Sequence, residues 1–162
     1  MQAIVRDLKS NNQYQTSLLI DVDDLRHLFT ETFGSCEATS EADFVVLLVD
    51  TGYYEEELEV DLSEANSLAT RLAAAESEYG EDALKAFFEY YSFEDLNLIE
   101  DISFYTSKYD YMEHLYELYG LTETTFLWTT VDMFLDDDDI FERIAMGGDV
   151  YEASNGVIVD CC

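Results

Sequence analysis

The stretch FVVLLVDTG, residues 44–52, decides the fold class. A continuous apolar run over Phe44–Val49, closed by Asp50 and Gly52, has the length and flanks of a strand buried on both faces. It predicts the central strand of a sheet. Toward the N-terminus, Ala3–Leu8 and Ser17–Ile20 are short apolar-rich runs flanking Ser10-Asn11-Asn12, the pattern of a hairpin. Asp21 is placed to cap a helix, with Asp23 and Asp24 in its first turn. Leu25, Leu28, Phe29 and Phe33 then recur at helical spacing, and Gly34 ends the helix.

Toward the C-terminus, Ser63 precedes a helix over Glu64–Glu78, with Ala65, Leu68, Ala69 and Leu72 as its apolar stripe. A second helix, Glu81–Tyr91, follows Gly80 and packs through Leu84, Phe87 and Phe88. Ser92 and Asp95 resemble a capping box for a short helix, Phe93–Glu100. Ile102–Tyr105 reads as a strand. Asp110 is placed to cap Tyr111–Tyr119, with Met112, Leu115, Tyr116 and Tyr119 inward and Gly120 closing. Thr124–Thr130 is β-branched and open to either helix or strand. Asp137–Met146 is expected to be a helix, its acidic residues at the favourable end. Val150–Glu152 and Val157–Val159 flank Asn155-Gly156, a strong short hairpin signal. The expectation is an α+β chain of small modules: an N-terminal antiparallel sheet plus helix over 1–61, a central helical module over 62–103, and C-terminal helices with a β-hairpin over 104–162.

The charge is unusual for so aromatic a chain. Of 162 residues, 37 are acidic and 7 basic, a formal −30, while 12 Tyr and 10 Phe supply material for a core that an acidic tail lacks. Self-repulsion of that size opposes compaction, and it argues against binding nucleic acid or an anionic membrane. A basic partner is implied. Thirty charges equal those on about 50 Å of duplex DNA, and a compact domain of this length is about 40 Å across. The chain is therefore able to match the linear charge density of DNA.

The carboxylates come in clusters that recur along the chain. These are Glu55, Glu56, Glu57, Glu59 and Asp61; Glu76, Glu78, Glu81 and Asp82; and Glu94, Asp95, Glu100 and Asp101. Asp110, Glu113 and Glu117 follow, and then Asp136, Asp137, Asp138, Asp139 and Glu142. A solvated face explains any one run. It does not explain the scarcity of Lys and Arg across the whole chain, which a halophilic surface would. We take the clusters as candidate partner-binding carboxylates.

Other chemistry has less support. Asp21-Val22-Asp23 begins like a calcium loop, but Arg26 stands where the sixth position needs Gly. Asp136–Asp139 lacks both the Gly and the closing Glu, so no dedicated metal site is expected. His27 and His114 belong to no catalytic motif, although His114 lies one helical turn from Asp110. Neither G-x-S-x-G, P-loop nor C-x-x-C occurs. Cys36, Cys161 and Cys162 suggest no disulfide framework and fit a reducing cytoplasm, and Cys36 lacks a local base or cation. Neither a signal peptide nor a spanning segment is visible. The expectation is a non-enzymatic cytoplasmic protein of a bacterial host cell, without cofactor.

The order of motifs resembles that of the ArdA antirestriction proteins, acidic proteins of similar length from mobile elements and phages. The resembling residues are Val5-Arg6-Asp7-Leu8, Leu19-Ile20-Asp21, and Phe44–Asp50 leading into Glu64-Ala65-Asn66-Ser67-Leu68. Further on they are Val131-Asp132, Gly148-Asp149-Val150-Tyr151 and Asn155-Gly156-Val157. The chain departs from the family pattern at Gln13-Tyr14-Gln15 and at Thr130–Phe134, where the family is richer in aromatics. The resemblance implies a curved, elongated molecule of three small modules, a homodimer through the C-terminal one. It also implies surface carboxylates that stand in for DNA phosphates in the basic DNA-binding groove of a type I restriction–modification methyltransferase/specificity complex. Two alternatives remain open. One is a DNA mimic aimed at another DNA-binding defence protein such as a CRISPR effector. The other is an acidic cation-binding or halophilic structural protein.

Overall fold

The computed structural model describes residues 1–120 and 136–160. Expectations for Thr124–Thr130, Val131-Asp132, Cys161 and Cys162 fall outside the described residues. The chain is α+β and divides into two compact units, Met1–Glu78 and Tyr79–Cys162.

The first unit is built on an antiparallel sheet in the order β2-β1-β3-β4, with β1 at Gln2–Asp7, β2 at Gln13–Ser17, β3 at Phe44–Asp50 and β4 at Glu55–Asp61. The apolar run at 44–49 is an interior strand, paired on one side with β1 and on the other with β4. The pleat sends Ala3, Val5, Val46 and Val49 to one face, where all are buried. Helix α1, Val22–Phe33, covers this face through Leu25 and Phe29, and the Phe29 ring lies 5.5 Å from Phe44 and 6.0 Å from Tyr14. Asp21 caps α1 as expected, accepting from the Asp24 N–H at 2.8 Å. Gly34 closes it in the left-handed region that its φ of 83° requires. Phe33, which shares the helical spacing of Leu25 and Phe29, is 40% exposed.

The second strand of the hairpin lies earlier than expected, at Gln13–Ser17 instead of Ser17–Ile20. It is an edge strand with one face toward water, so polar residues suffice for it. The apolar Leu18-Leu19-Ile20 segment instead turns the chain into α1. Leu19 takes a φ of 69°, its N–H donates to the Asn66 side chain at 2.8 Å, and Asn66 donates back to the Ile20 carbonyl at 2.9 Å. Helix α2, Leu62–Tyr79, thus belongs with the N-terminal sheet, with Leu62, Ala65, Ala69, Leu72 and Ala75 as its buried stripe.

The second unit carries an antiparallel sheet in the order β5-β7-β6, with β5 at Ile102–Tyr105, β6 at Val150–Ala153 and β7 at Gly156–Asp160. Helix α3, Glu81–Phe87, packs Ala86 against Ala153 and Ile158. Helices α4, Lys108–Leu118, and α5, Asp137–Ala145, enclose a cluster of Tyr111, Met112, Phe141, Val150 and Val157. A 3-10 segment, Glu94–Asp101, precedes β5. Ser107, not Asp110, caps α4, and Tyr119 is 72% exposed instead of inward. The expected hairpin forms, but its turn is Ser154-Asn155, one residue earlier than the Asn155-Gly156 signal: Gly156 opens β7 and pairs with Ala153. A side chain at Gly156 would collide with the Tyr105 carbonyl and the Phe104 ring. Residues 62–103, expected as one central module, are divided: α2 joins the first unit, and α3 with the 3-10 segment joins the second. Apolar stripes show that helices need a partner, but not which sheet supplies it.

Candidate interaction surface

Strand β4 was read from sequence only as a charge run. Glu is poor in strands by propensity. Here backbone pairing with β3, and the half-buried Glu56, Leu58 and Val60, hold the strand against that preference. The pleat therefore exposes Glu55, Glu57, Glu59 and Asp61 in alternation. Successive members of this row are about 7 Å apart. One DNA strand carries a charge every 3.4 Å or so of axis, so one edge reaches about half that density. The alternation of Leu58 and Val60 with acids was the signal that could have revealed the strand.

Within this row, Glu59 meets Arg6 at 3.5 Å, and Asp61 accepts from the Glu64 N–H at 2.8 Å, opening α2. The Glu55 and Glu57 carboxylates have neither hydrogen bond nor ion pair among the described residues. Glu56 accepts from the Tyr54 hydroxyl at 3.3 Å.

The helical carboxylates divide by what they do for the fold. Glu76 and Glu78 are exposed in the last turns of α2, and Glu117 in the last turn of α4, with no basic residue in either last turn. A negative charge there opposes the helix dipole at a cost of about 0.3–1 kcal/mol, so fold stability does not account for it. Glu113 is likewise exposed on α4, and Glu94, Glu100 and Asp101 on the 3-10 segment.

Other candidates hold structure. Glu81 and Asp82 lie 2.7 and 3.8 Å from Lys85 Nζ. Asp95 accepts from the Ser92 N–H at 3.1 Å and the Ser92 hydroxyl at 2.8 Å, and these bonds hold its carboxyl below the usual range. Asp110 accepts from the Thr106 hydroxyl. Asp136 caps α5 through the Asp139 N–H at 2.8 Å, Asp137 accepts from the Tyr116 hydroxyl at 2.5 Å, and Asp138 meets Lys108 at 3.1 Å. The Asp139 and Glu142 carboxylates are exposed without a partner among the described residues.

The few cations are mostly engaged within their own unit. Lys9 meets Asp43 at 2.7 Å and Arg26 meets Asp23 at 3.4 Å. Lys108 joins the starts of α4 and α5 to β6. Besides Asp138 it reaches Glu152 at 3.3 Å and lies 4.7 Å from the centre of the Phe141 ring. The Asp138 hydrogen bond, aided by Glu152, pushes the Lys108 ammonium above its usual pKa.

Two carboxylates outside the candidate clusters have strongly structural roles that sequence reasoning did not assign. Asp7 is fully buried and accepts from the Lys9 N–H at 2.9 Å and the Ser10 hydroxyl at 2.7 Å, with the Cys36 thiol at 3.9 Å. Burial pushes its pKa up, but the hydrogen bonds from Ser10, Lys9 and Glu37 outweigh it and leave the carboxyl below its ordinary value. Asp43 is driven well below the carboxylate range by Lys9 first and by the Thr39 N–H at 2.7 Å next. Asp7 closes the turn that follows it and Asp43 the loop that precedes it, and only the folded chain reveals either closure.

Among the described residues, no group of three His, Cys, Asp or Glu side chains is gathered to hold a metal ion. His27 faces Glu31 at 3.2 Å, and His114 is exposed with its ring 5.4 Å from that of Tyr105. Among the same residues no helix is long and apolar enough to cross a membrane. No protein-family model matches the chain, and no curated protein matches it in sequence.

Proposed function

We propose that this protein is a DNA mimic that inhibits type I restriction–modification by occupying the DNA-binding groove of the methyltransferase/specificity complex. The observation that carries the reading is the outward row on β4 with the dipole-opposed Glu76, Glu78 and Glu117. These carboxylates are exposed on regular elements, and apart from Glu59, which meets Arg6, and Asp61, which opens α2, no contact among the described residues accounts for them. Both units contribute, since residues 1–78 hold 17 acidic and 4 basic residues and residues 79–162 hold 20 and 3. The target class comes from the resemblance to the ArdA proteins, as does a homodimeric form.

Binding brings carboxylates against Lys and Arg side chains suited to phosphate, and releases counterions from both surfaces. Association is then fast and strongly salt-dependent. The protein makes and breaks no bond and acts by exclusion.

The test is binding to a purified type I methyltransferase complex, with and without cognate duplex, at two salt concentrations. Salt-sensitive binding that displaces the duplex is expected. Absence of binding at low salt overturns the type I target and turns the proposal to other DNA-binding defence proteins, a CRISPR effector among them. A tight, stoichiometric calcium transition by calorimetry would instead favour a cation-binding structural protein.

A further inference from the structure

The N-terminal sheet has a second face, opposite α1, and its surface is not purely acidic. Strand β3 shifts register against both neighbours at one place, between Val46 and Leu48, and next to Ile4 on β1. Bulges of this kind re-aim side chains and are enriched beside functional sites. The burial of β3 breaks here: Phe44, Val45, Val46 and Val49 are buried, while Leu47 and Leu48 are both half-exposed. Leu48 stands opposite Ile4 on one side and Glu57 on the other, so these three share the open face.

The result is a groove of about 490 Å³ lined by Ile4, Gln13, Leu47, Leu48, Glu57, Leu58 and Glu59. Ile4, Leu47 and Leu48 give it an apolar side, and Glu57 and Glu59 an anionic one. Glu57 has no partner among the described residues, whereas Glu59 is shared with Arg6 at 3.5 Å. A phosphate mimic needs no apolar floor.

We infer that this groove seats an arginine side chain of the basic protein partner. Its methylene stem lies on Ile4, Leu47 and Leu48, and its guanidinium is paired by Glu57. The charge selects the occupant. A second copy of this chain would bring like charges together, while an arginine offers an apolar stem and a weakly hydrated planar cation in one side chain. The inference rests on the reading of a basic partner and adds to it a contact that salt screens poorly. Charge pairs across open water weaken beyond a Debye length, about 10 Å at 0.1 M and 3 Å at 1 M salt, but burial of the stem does not.

The test uses the full chain, isotope-labelled, titrated with hexa-arginine peptide at 0.05 and 0.5 M NaCl and followed by amide NMR shifts. At low salt, shifts are expected at all the exposed acidic clusters. At high salt they should persist at Ile4, Leu47, Leu48 and Glu57 and fade on α2, α4 and α5. Leu48→Ser should weaken the high-salt affinity about five-fold, as loss of part of an apolar contact does. Leu47→Ser serves as the second variant should Leu48→Ser unfold, and the remaining amide spectrum reports folding in each. Shifts that vanish together at 0.5 M NaCl, or serine variants that bind like the wild type, overturn the groove and leave mimicry standing. No shifts at low salt would overturn the basic partner as well.

Discussion

Strand β4 and the start of helix α5 both carry acidic runs, Glu55–Asp61 and Asp136–Asp139, and the fold treats them differently. At α5 the charges stabilise structure: Asp136 caps the helix, Asp137 holds the Tyr116 hydroxyl, and Asp138 anchors Lys108. On β4 the sheet sets side-chain direction, and the Glu55 and Glu57 carboxylates are exposed with no partner among the described residues. Acidic density alone therefore does not identify a binding surface. A carboxylate that stabilises no part of the fold is the better candidate for a partner's cation.

The comparison can be sharpened by removing charge from each region. The largest effect on stability is expected away from both, at Asp7→Ala. It leaves the Lys9 N–H and the Ser10 hydroxyl without their buried acceptor, at about 3 kcal/mol, read by denaturant unfolding. A comparable loss at the exposed Glu57 would break the distinction. Replacing Glu55, Glu57 and Glu59 by Gln and Asp61 by Asn should cost about a hundred-fold in partner affinity, at 0.2–1 kcal/mol per exposed pair or so. Thermal stability should stay level or rise as like charges are removed. Alanines at Asp136, Asp137 and Asp138 should reverse the pattern, destabilising by about 2 kcal/mol with a smaller loss of affinity. Gly156→Ala, with no charge change, should destabilise by about 1–3 kcal/mol through overpacking against Tyr105 and Phe104.

The smallest effects are those of solvent. Raising salt should increase the melting temperature by a few degrees while weakening partner binding, because self-repulsion and attraction are screened alike. The pH limits follow from sign. Asp7, Asp43 and Asp95 have folded pKa values below the ordinary 3.8, so the stability they contribute is complete above that value and lost as pH falls through the folded ones. Lys85 and Lys108 are raised above 10.5, so their contribution is complete below it and lost as pH rises through the folded values. Thermal unfolding across pH should show these losses only outside that window.

Much of this architecture was legible in the sequence. The apolar run of β3, the Asp21 cap, the Ser92–Asp95 pair and the hairpin around Asn155-Gly156 each carry their own local signal. Strand β2 did not, and β4 carried only the alternation of Leu58 and Val60 with acids, because an edge strand with one wet face is specified by a neighbour's backbone and tolerates Gln, Thr or Glu. The roles of the carboxylates were less legible still. Asp138 and Asp139 look alike in sequence, yet only Asp138 meets Lys108, from a helix distant along the chain. The bulge at Leu47, which creates the groove, depends on the register of three strands at once.

The most direct test of the account is the slope of log affinity against log salt for the type I complex, in the wild type and in the fourfold β4 variant. Each ion pair lost should reduce the slope by about one, as for phosphate contacts, so a reduction of about three to four is expected. An unchanged slope in a variant that remains folded would contradict the assignment of β4 as a phosphate-mimicking edge.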